Sequence, residues 1–152
     1  MPIVTSAETV YVDPSALRSL YLHDASSKRF CAWRAKLAGP LVVTRHGYAE
    51  LVNSVALGVF RGVITADVAR RAEVLIESDL REGELVVMDV LWRRCLDLAA
   101  ELSRKHTAAL GTRTLDVLHV ASALTLGRQT FVTYDERQAA LARAVKLKVV
   151  AP

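Results

Sequence analysis

Four carboxylates stand where a solvated acid is out of place. Asp13 closes the run TVYV, Asp135 closes TFVTY, Asp116 opens the apolar run LDVLHVASALTL, and Glu50 interrupts YAELVNSVAL. Acids set in apolar sequence are rarely buried unless they are paired or hold a cation. Gathered in one place they would repel one another, so that either some take up protons or a divalent cation neutralises them. Ligation by oxygen alone selects a hard cation, Mg²⁺ or alternatively Mn²⁺, rather than zinc. The histidines agree with this, since His23, His46, His106 and His119 form no pair at ligand spacing. His119, three residues after Asp116, is open to two readings: a hydrogen-bonded core residue, or a support that orients Asp116.

Each acid also has a purely structural explanation. Asp13 before Pro14 looks like a helix N-cap with proline at the first helical position. Asp135 followed by Gln138 resembles a capping box, and Asp116 falls in the first turn after Thr114, where negative charge suits the helix dipole. Glu50 fits the solvated stripe of an amphipathic helix. The joint placement favours function, because Asp13 and Asp135 both follow an apolar strand-like run. If those strands are parallel neighbours, both side chains emerge at the edge where open α/β sheets bind ligands.

The elements that must position these acids alternate along the chain. Short β-rich runs cover 9–12, 41–44, 85–90, 130–134 and 146–150, and helical spacing covers 15–23, 26–37, 46–60, 66–81, 91–106, 115–126 and 136–145. Gly39-Pro40 and Gly127 punctuate the seams. Strands alternating with helices predict parallel pairing through crossovers and an α/β sandwich, with helices on both faces of a central sheet. No repeat, linker or low-complexity stretch divides residues 1–152, which predicts a single domain.

The 152 residues, 52% hydrophobic, suffice for a core without disulfides or structural metal. Cys31 and Cys95 match no ligand spacing and are expected as buried free thiols in a reducing cytoplasm. No apolar run approaches the ~18 residues that span a bilayer, and MPIVTSAETVYVDPSAL has no basic leader, so neither membrane insertion nor secretion is expected. The net charge of +4 permits attraction to polyanions without requiring it.

The segments VYVDPSAL, YAELVNSVAL, RTLDVLHVASAL and TFVTYDERQAALARAVKLKVV resemble, in order, the four acidic blocks of PIN-domain ribonucleases, and most closely those of VapC-like toxins of type II toxin–antitoxin pairs. The resemblance runs from about Thr9 to the C-terminus. It implies a three-layer α/β/α sandwich around a mainly parallel five-stranded sheet, and a metal-dependent endoribonuclease whose acidic quartet is Asp13, Glu50, Asp116 and Asp135. Asp13 and Asp116 would be the most direct metal ligands, with Glu50 and Asp135 completing the pocket and Asp135 available to a second ion. Ser15 and Thr133 match the small hydroxyl positions beside the first and last acids, and Arg113 matches a position suited to a phosphate contact.

The chemistry so implied is hydrolysis of an RNA phosphodiester by water activated at Mg²⁺, leaving a 5′-phosphate and a 3′-hydroxyl. Arg18, Arg45, Arg113 and Arg137 lie close in sequence to the acids and could form a basic rim. The resemblance further implies tRNA, rRNA or mRNA as substrate, a cognate antitoxin protein laid across the groove, and a homodimer. Pro14 departs from the family pattern by replacing a frequent hydroxyl residue, and Gly47 sits unusually at a helix start. The competing reading is a PIN-like module that binds RNA or protein without cleaving. A receiver-like domain fits poorly, since Glu8 comes too early and Arg137 stands where a lysine is expected.

Overall fold

A computed structural model describes residues 5–152. The strands are β1 (Thr5–Ser6), β2 (Val10–Val12), β3 (Leu37–Ala38), β4 (Leu41–Thr44), β5 (Leu85–Met88), β6 (Thr130–Val132) and β7 (Lys148–Val150). The helices are α1 (Pro14–Leu17), α2 (Ser27–Arg34), α3 (Arg45–Phe60), α4 (Ala66–Glu82), α5 (Trp92–Leu102), α6 (Ala108–Leu110), α7 (Thr114–Thr125) and α8 (Glu136–Ala144). All strand pairs are parallel, as expected for strands joined through helices.

β2, β6 and β7 form one ladder and β4 and β5 another, so the single five-stranded ladder expected from the sequence is corrected to one of three strands and one of two. β4 runs beside the free edge of β2, giving the spatial order β5, β4, β2, β6, β7. Side chains rather than a ladder join the halves, since Val10 and Val12 share a core cluster with Leu41 and Val43. β2 has only three residues, hemmed by a 3₁₀ turn at Ala7–Thr9 and by Pro14, which has no N–H to extend a ladder. β1 and β3 add a two-residue pair that the sequence does not announce, and residues 1–4 lie outside the described residues.

Strand alternation sorts the apolar residues to the two faces of the sheet. Val10, Val12 and Val132 join Leu17, Phe30, Leu51, Val55 and Ile76 beneath α1 to α4. Tyr11 and Phe131 point the other way and join Cys95, Val117, Val120 and Leu141 beneath α5, α7 and α8. Each fully buried Leu or Phe in these clusters contributes about 1.5–3 kcal/mol, so two packed faces make the three layers.

The expected helix at 15–23 breaks into α1 and a 3₁₀ turn at Arg18–Leu20, and Leu37 leaves its helix for β3. The helix expected over 91–106 loosens into a π-turn at Ser103–Thr107. Cys31 is exposed and Cys95 buried, so only one of the two thiols meets the expectation of burial; both are free. Among the described residues no helix is long and apolar enough to cross a membrane.

Candidate active site

The chain leaves β2 toward β4 and β5, then returns to β6 and β7 on the other side, so strand order reverses between β2 and β6. Crevices at such a reversal are where α/β sheets bind ligands. The acids meet there. A cleft of about 480 Å³ is lined by Asp13, Ser15, Glu50, Arg113, Thr114, Leu115, Asp116, Asp135 and Gln138.

Asp13 is locked to the strand edge by its backbone N–H, which donates to Val132 O at 2.9 Å. It stands at the N-cap of α1, yet its side chain makes no capping bond, so the structural explanation for this acid fails. Its Oδ2 instead accepts from the hydroxyls of Ser15 and, at 3.3 Å, Thr133. The residue is 1% exposed, and burial pushes its carboxyl pKa up against the opposing influence of His119, Ser15, Gln138 and Thr133. A buried acid that caps nothing and, among the described residues, has no Arg or Lys ion pair is expensive to keep.

Glu50 comes from the second turn of α3. That helix can approach Asp13 because Gly47 lacks a side chain: a Cβ there would lie 3.0 Å from Thr44 Oγ1 and Val43 Cγ2 and 3.2 Å from Pro14 Cγ. The unusual glycine is therefore a close-approach residue. Glu50 Oε1 meets His119 Nε2 at 3.0 Å, and His119 Nδ1 meets the Tyr11 hydroxyl at 2.7 Å. His119 is fully buried and supports Glu50, rather than Asp116 as its position in sequence suggests. A carboxylate can only accept, so Nε2 donates its N–H to Glu50 while the other ring nitrogen meets the phenol. Tyr11 is stacked on Phe131, its register partner, and burial raises its pKa, which keeps the phenol protonated.

Asp116 is the third residue of α7 and is 4% exposed; its Oδ2 accepts from Arg113 N at 2.8 Å and its Oδ1 from Gln138 Nε2 at 3.4 Å. Asp135 caps α8, its Oδ1 accepting from the N–H groups of Arg137 and Gln138 at 2.8 and 3.2 Å. Its capping role and its place at the cleft coexist, because Oδ2 is left for the arginines. Thr133 Oγ1 ties the two ends together by also accepting from Asp135 N at 3.0 Å.

Of the expected rim arginines, Arg113 and Arg137 reach the acids, whereas Arg45 pairs with Asp89. Arg18 lies against Gly58 in the last turns of α3, away from the cleft. Tyr11 and Gln138 escape sequence reasoning. A signal for Tyr11 existed, since a buried tyrosine alternating away from two valines needs a partner for its hydroxyl; Gln138 carried none beyond the capping box.

The donor set suits a hard cation. All four acids are oxygen donors, and Gln138 Oε1 is buried beside them with no hydrogen-bond partner among the described residues. Leaving such an acceptor unsatisfied costs about 1–3 kcal/mol, which a water on a bound divalent ion would relieve. Asp13 and Asp116, the most buried of the four, would hold such an ion most directly, with Glu50 and Asp135 completing its surroundings. Among the described residues no three His, Cys, Asp or Glu side chains converge tightly enough to ligate an ion as they stand.

Fold and cleft together define an α/β domain with an acidic, oxygen-only pocket at the carboxyl ends of its parallel strands. The chain matches the PIN domain family over residues 10–144 and belongs to that family. PIN domains are generally metal-dependent nucleases. No curated protein gives a significant match to the chain.

Proposed function

We propose that the protein is a Mg²⁺-dependent endoribonuclease, with Mn²⁺ able to substitute, and the toxin of a toxin–antitoxin pair. The observation that carries this reading is Asp13: a buried acid that caps no helix and stands at the switch point beside Glu50, Asp116 and Asp135. A divalent ion there supplies positive charge at the phosphate and a more acidic water. Glu50, oriented by His119, takes up the proton of the attacking water. Ser15 and Thr133 hold Asp13 in place, and Arg113 meets a substrate phosphate.

The partner assignments rest on surface chemistry. Phe60, Val63, Val74 and Leu75 expose apolar surface around the α3–α4 turn and along α4, and Leu91, Trp92 and Leu96 do so at α5. These two faces would serve a homodimer contact and an antitoxin segment, as exposed apolar patches commonly do. A reducing cytoplasm is in keeping with two free thiols, one exposed, and residues 1–152 are read as a single PIN-like domain.

One observation favours a second reading, a PIN-like module that binds RNA or protein without cleaving: arginines already pair with Asp116 and Asp135. Incubating purified, antitoxin-free protein with tRNA, rRNA and mRNA decides between them. Cleavage that leaves 5′-phosphates, needs Mg²⁺ and is lost with Asp116→Asn is expected. Cleavage persisting in EDTA or in Asp116→Asn defeats the assignment, and RNA binding without cleavage at any metal concentration supports the module.

A further inference from the structure

Two arginines address the same two carboxylate oxygens. Arg113 brings Nε to 3.6 Å from Asp116 Oδ2 and Nη2 to 3.8 Å from Asp135 Oδ2. Arg137 brings Nε to 3.8 Å from that same oxygen of Asp116 and Nη2 to 3.7 Å from that same oxygen of Asp135. Each planar fork thus spans both acids, which a lysine ammonium could not do. Every one of these distances exceeds a formed hydrogen bond, so the attraction is charge without a directed bond.

The arginines are also poorly placed for stability. Arg113 is the N-cap residue of α7 and Arg137 lies in the first turn of α8, where the helix dipole disfavours a cation. Their side chains are 66% and 43% exposed, so solvent screens the pairs from the arginine side. Arg113 lines the cleft and Arg137 approaches two of its acids, beside two helix N-termini whose N–H groups favour anions. Independently of the arginines, Gln138, which lines the same cleft, has a buried Oε1 with no hydrogen-bond partner among the described residues, an acceptor that a ligand there would satisfy.

We propose that Arg113 and Arg137 are built-in counter-ions that a divalent cation displaces from Asp116 and Asp135, and that the freed guanidiniums then bind the phosphates flanking the scissile bond. The inference rests on the ribonuclease reading of the cleft. Asp116 and Asp135 are tied down by N–H donors and cannot follow the arginines outward, whereas the exposed guanidiniums can swing at little cost. Charge therefore passes in one direction: the cation takes the acids and the arginines take the RNA. Because both ligands favour the same displaced state of these two side chains, each must tighten the other by the same factor.

The test is calorimetric titration of Mn²⁺ into wild type, Arg113→Gln/Arg137→Gln and Arg113→Lys/Arg137→Lys, with Arg45→Gln as a control for surface charge. Anisotropy of a labelled single-stranded 2′-O-methyl oligouridylate, with and without Mn²⁺, reads the second half. In the glutamine pair Mn²⁺ should bind about tenfold tighter, within the usual range of coupling between sites. Its oligonucleotide binding should weaken and lose about 1.4 from the salt slope, the share of two phosphate contacts on a single strand. Mn²⁺ should strengthen oligonucleotide binding in wild type and cease to do so in the glutamine pair. The lysine pair should also bind Mn²⁺ more tightly than wild type, because it keeps the charge and loses the bridging fork.

Equal Mn²⁺ affinity in wild type and the glutamine pair overturns the inference and leaves the ribonuclease reading intact. So does a lysine pair that behaves as wild type, since long-range charge would then suffice. Failure of all these proteins to bind Mn²⁺ overturns both.

Discussion

The two walls of the cleft are built on opposite physical terms. On the β2–α3 wall, Asp13 and Glu50 are held by directed hydrogen bonds: from the hydroxyls of Ser15 and Thr133, and from a chain that runs from the Tyr11 hydroxyl through the buried His119. On the α7–α8 wall, Asp116 and Asp135 are held by helix N-terminal N–H groups and by exposed guanidiniums. Buried hydrogen bonds gain strength from their low-dielectric surroundings and are indifferent to salt, whereas exposed ion pairs are screened and exchange readily. The first wall is therefore preorganised and the second adjustable. A site that must admit a cation and then a polyanion needs both.

Breaking the first wall at its centre has the largest consequence. Asp13→Asn should lower RNA cleavage by at least about a hundredfold, the scale of losing one preorganised electrostatic contact. The same change should stabilise the fold. Burial raises the Asp13 pKa in the folded state, so the stability tied to its protonated form is complete at acid pH and lost as pH rises through that raised value. An asparagine avoids the loss, and the melting temperature at neutral pH should rise by about 2–4 °C if the relief is about 1 kcal/mol, with the difference vanishing in acid. Melting curves at neutral and acid pH check the sign; a destabilised Asp13→Asn at neutral pH would mean that the carboxylate is held favourably and the comparison of walls is wrong.

Next in size is the chain behind Glu50. Tyr11→Phe and His119→Leu should each cost about 10–100-fold in kcat with little change in KM, as loss of an orienting partner does at metal sites. His119→Gln should recover part of the loss, since its amide can still donate to Glu50. Equal losses in the leucine and glutamine variants, or losses confined to KM, would show that the imidazole only fills space.

The contrast between the walls also explains what was legible in the sequence. Asp13, Asp116 and Asp135 betray themselves locally, each marking the end of an apolar strand or the start of an apolar helix, and the same periodicity exposes the strands and helices. The supports of the first wall come from distant parts of the chain: Tyr11 and His119 are 108 residues apart, and His119 reaches Glu50 across 69. Spacing cannot disclose such pairs, so the sequence suggested Asp116 for His119, its neighbour in the helix. The arginines of the second wall lie within three residues of their acids and were accessible as a rim, although not their sharing of two oxygens. The division of the sheet escaped for a further reason: apolar runs mark strands, while whether β2 and β4 hydrogen-bond depends on how two very short segments are set side by side.

A smaller effect should follow from closing the gap that lets α3 approach Asp13. Gly47→Ala gains helix propensity but drives a methyl group into Thr44, Val43 and Pro14, and overpacking of that kind costs about 1–3 kcal/mol. The urea midpoint should fall and cleavage should fall with it, because Glu50 rides on the displaced helix. Unchanged stability would show that Pro14 and Val43 yield freely, leaving the wall less rigid than described.

An effect confined to acid reports on how the first wall responds to protons. His46 stacks on His119 at 5.0 Å between ring centroids and leans on Trp92, with Nδ1 buried and unpartnered. Burial, helped by the neighbouring His119, lowers its pKa from 6.5 to about 4. The group is depressed in the folded state, so its contribution is present above the unfolded value and drains away as pH falls from 6.5 toward 4, where only the unfolded chain takes up the proton. In His46→Gln that part of the acid limb should flatten, so urea midpoints of wild type and variant, compared across the window, should diverge most at its upper end and converge below it. Salt should not alter the difference, because His46 is held by packing. Parallel acid limbs in the two proteins would place the acid sensitivity among the carboxylates and arginines of the second wall instead, and there added salt should change it.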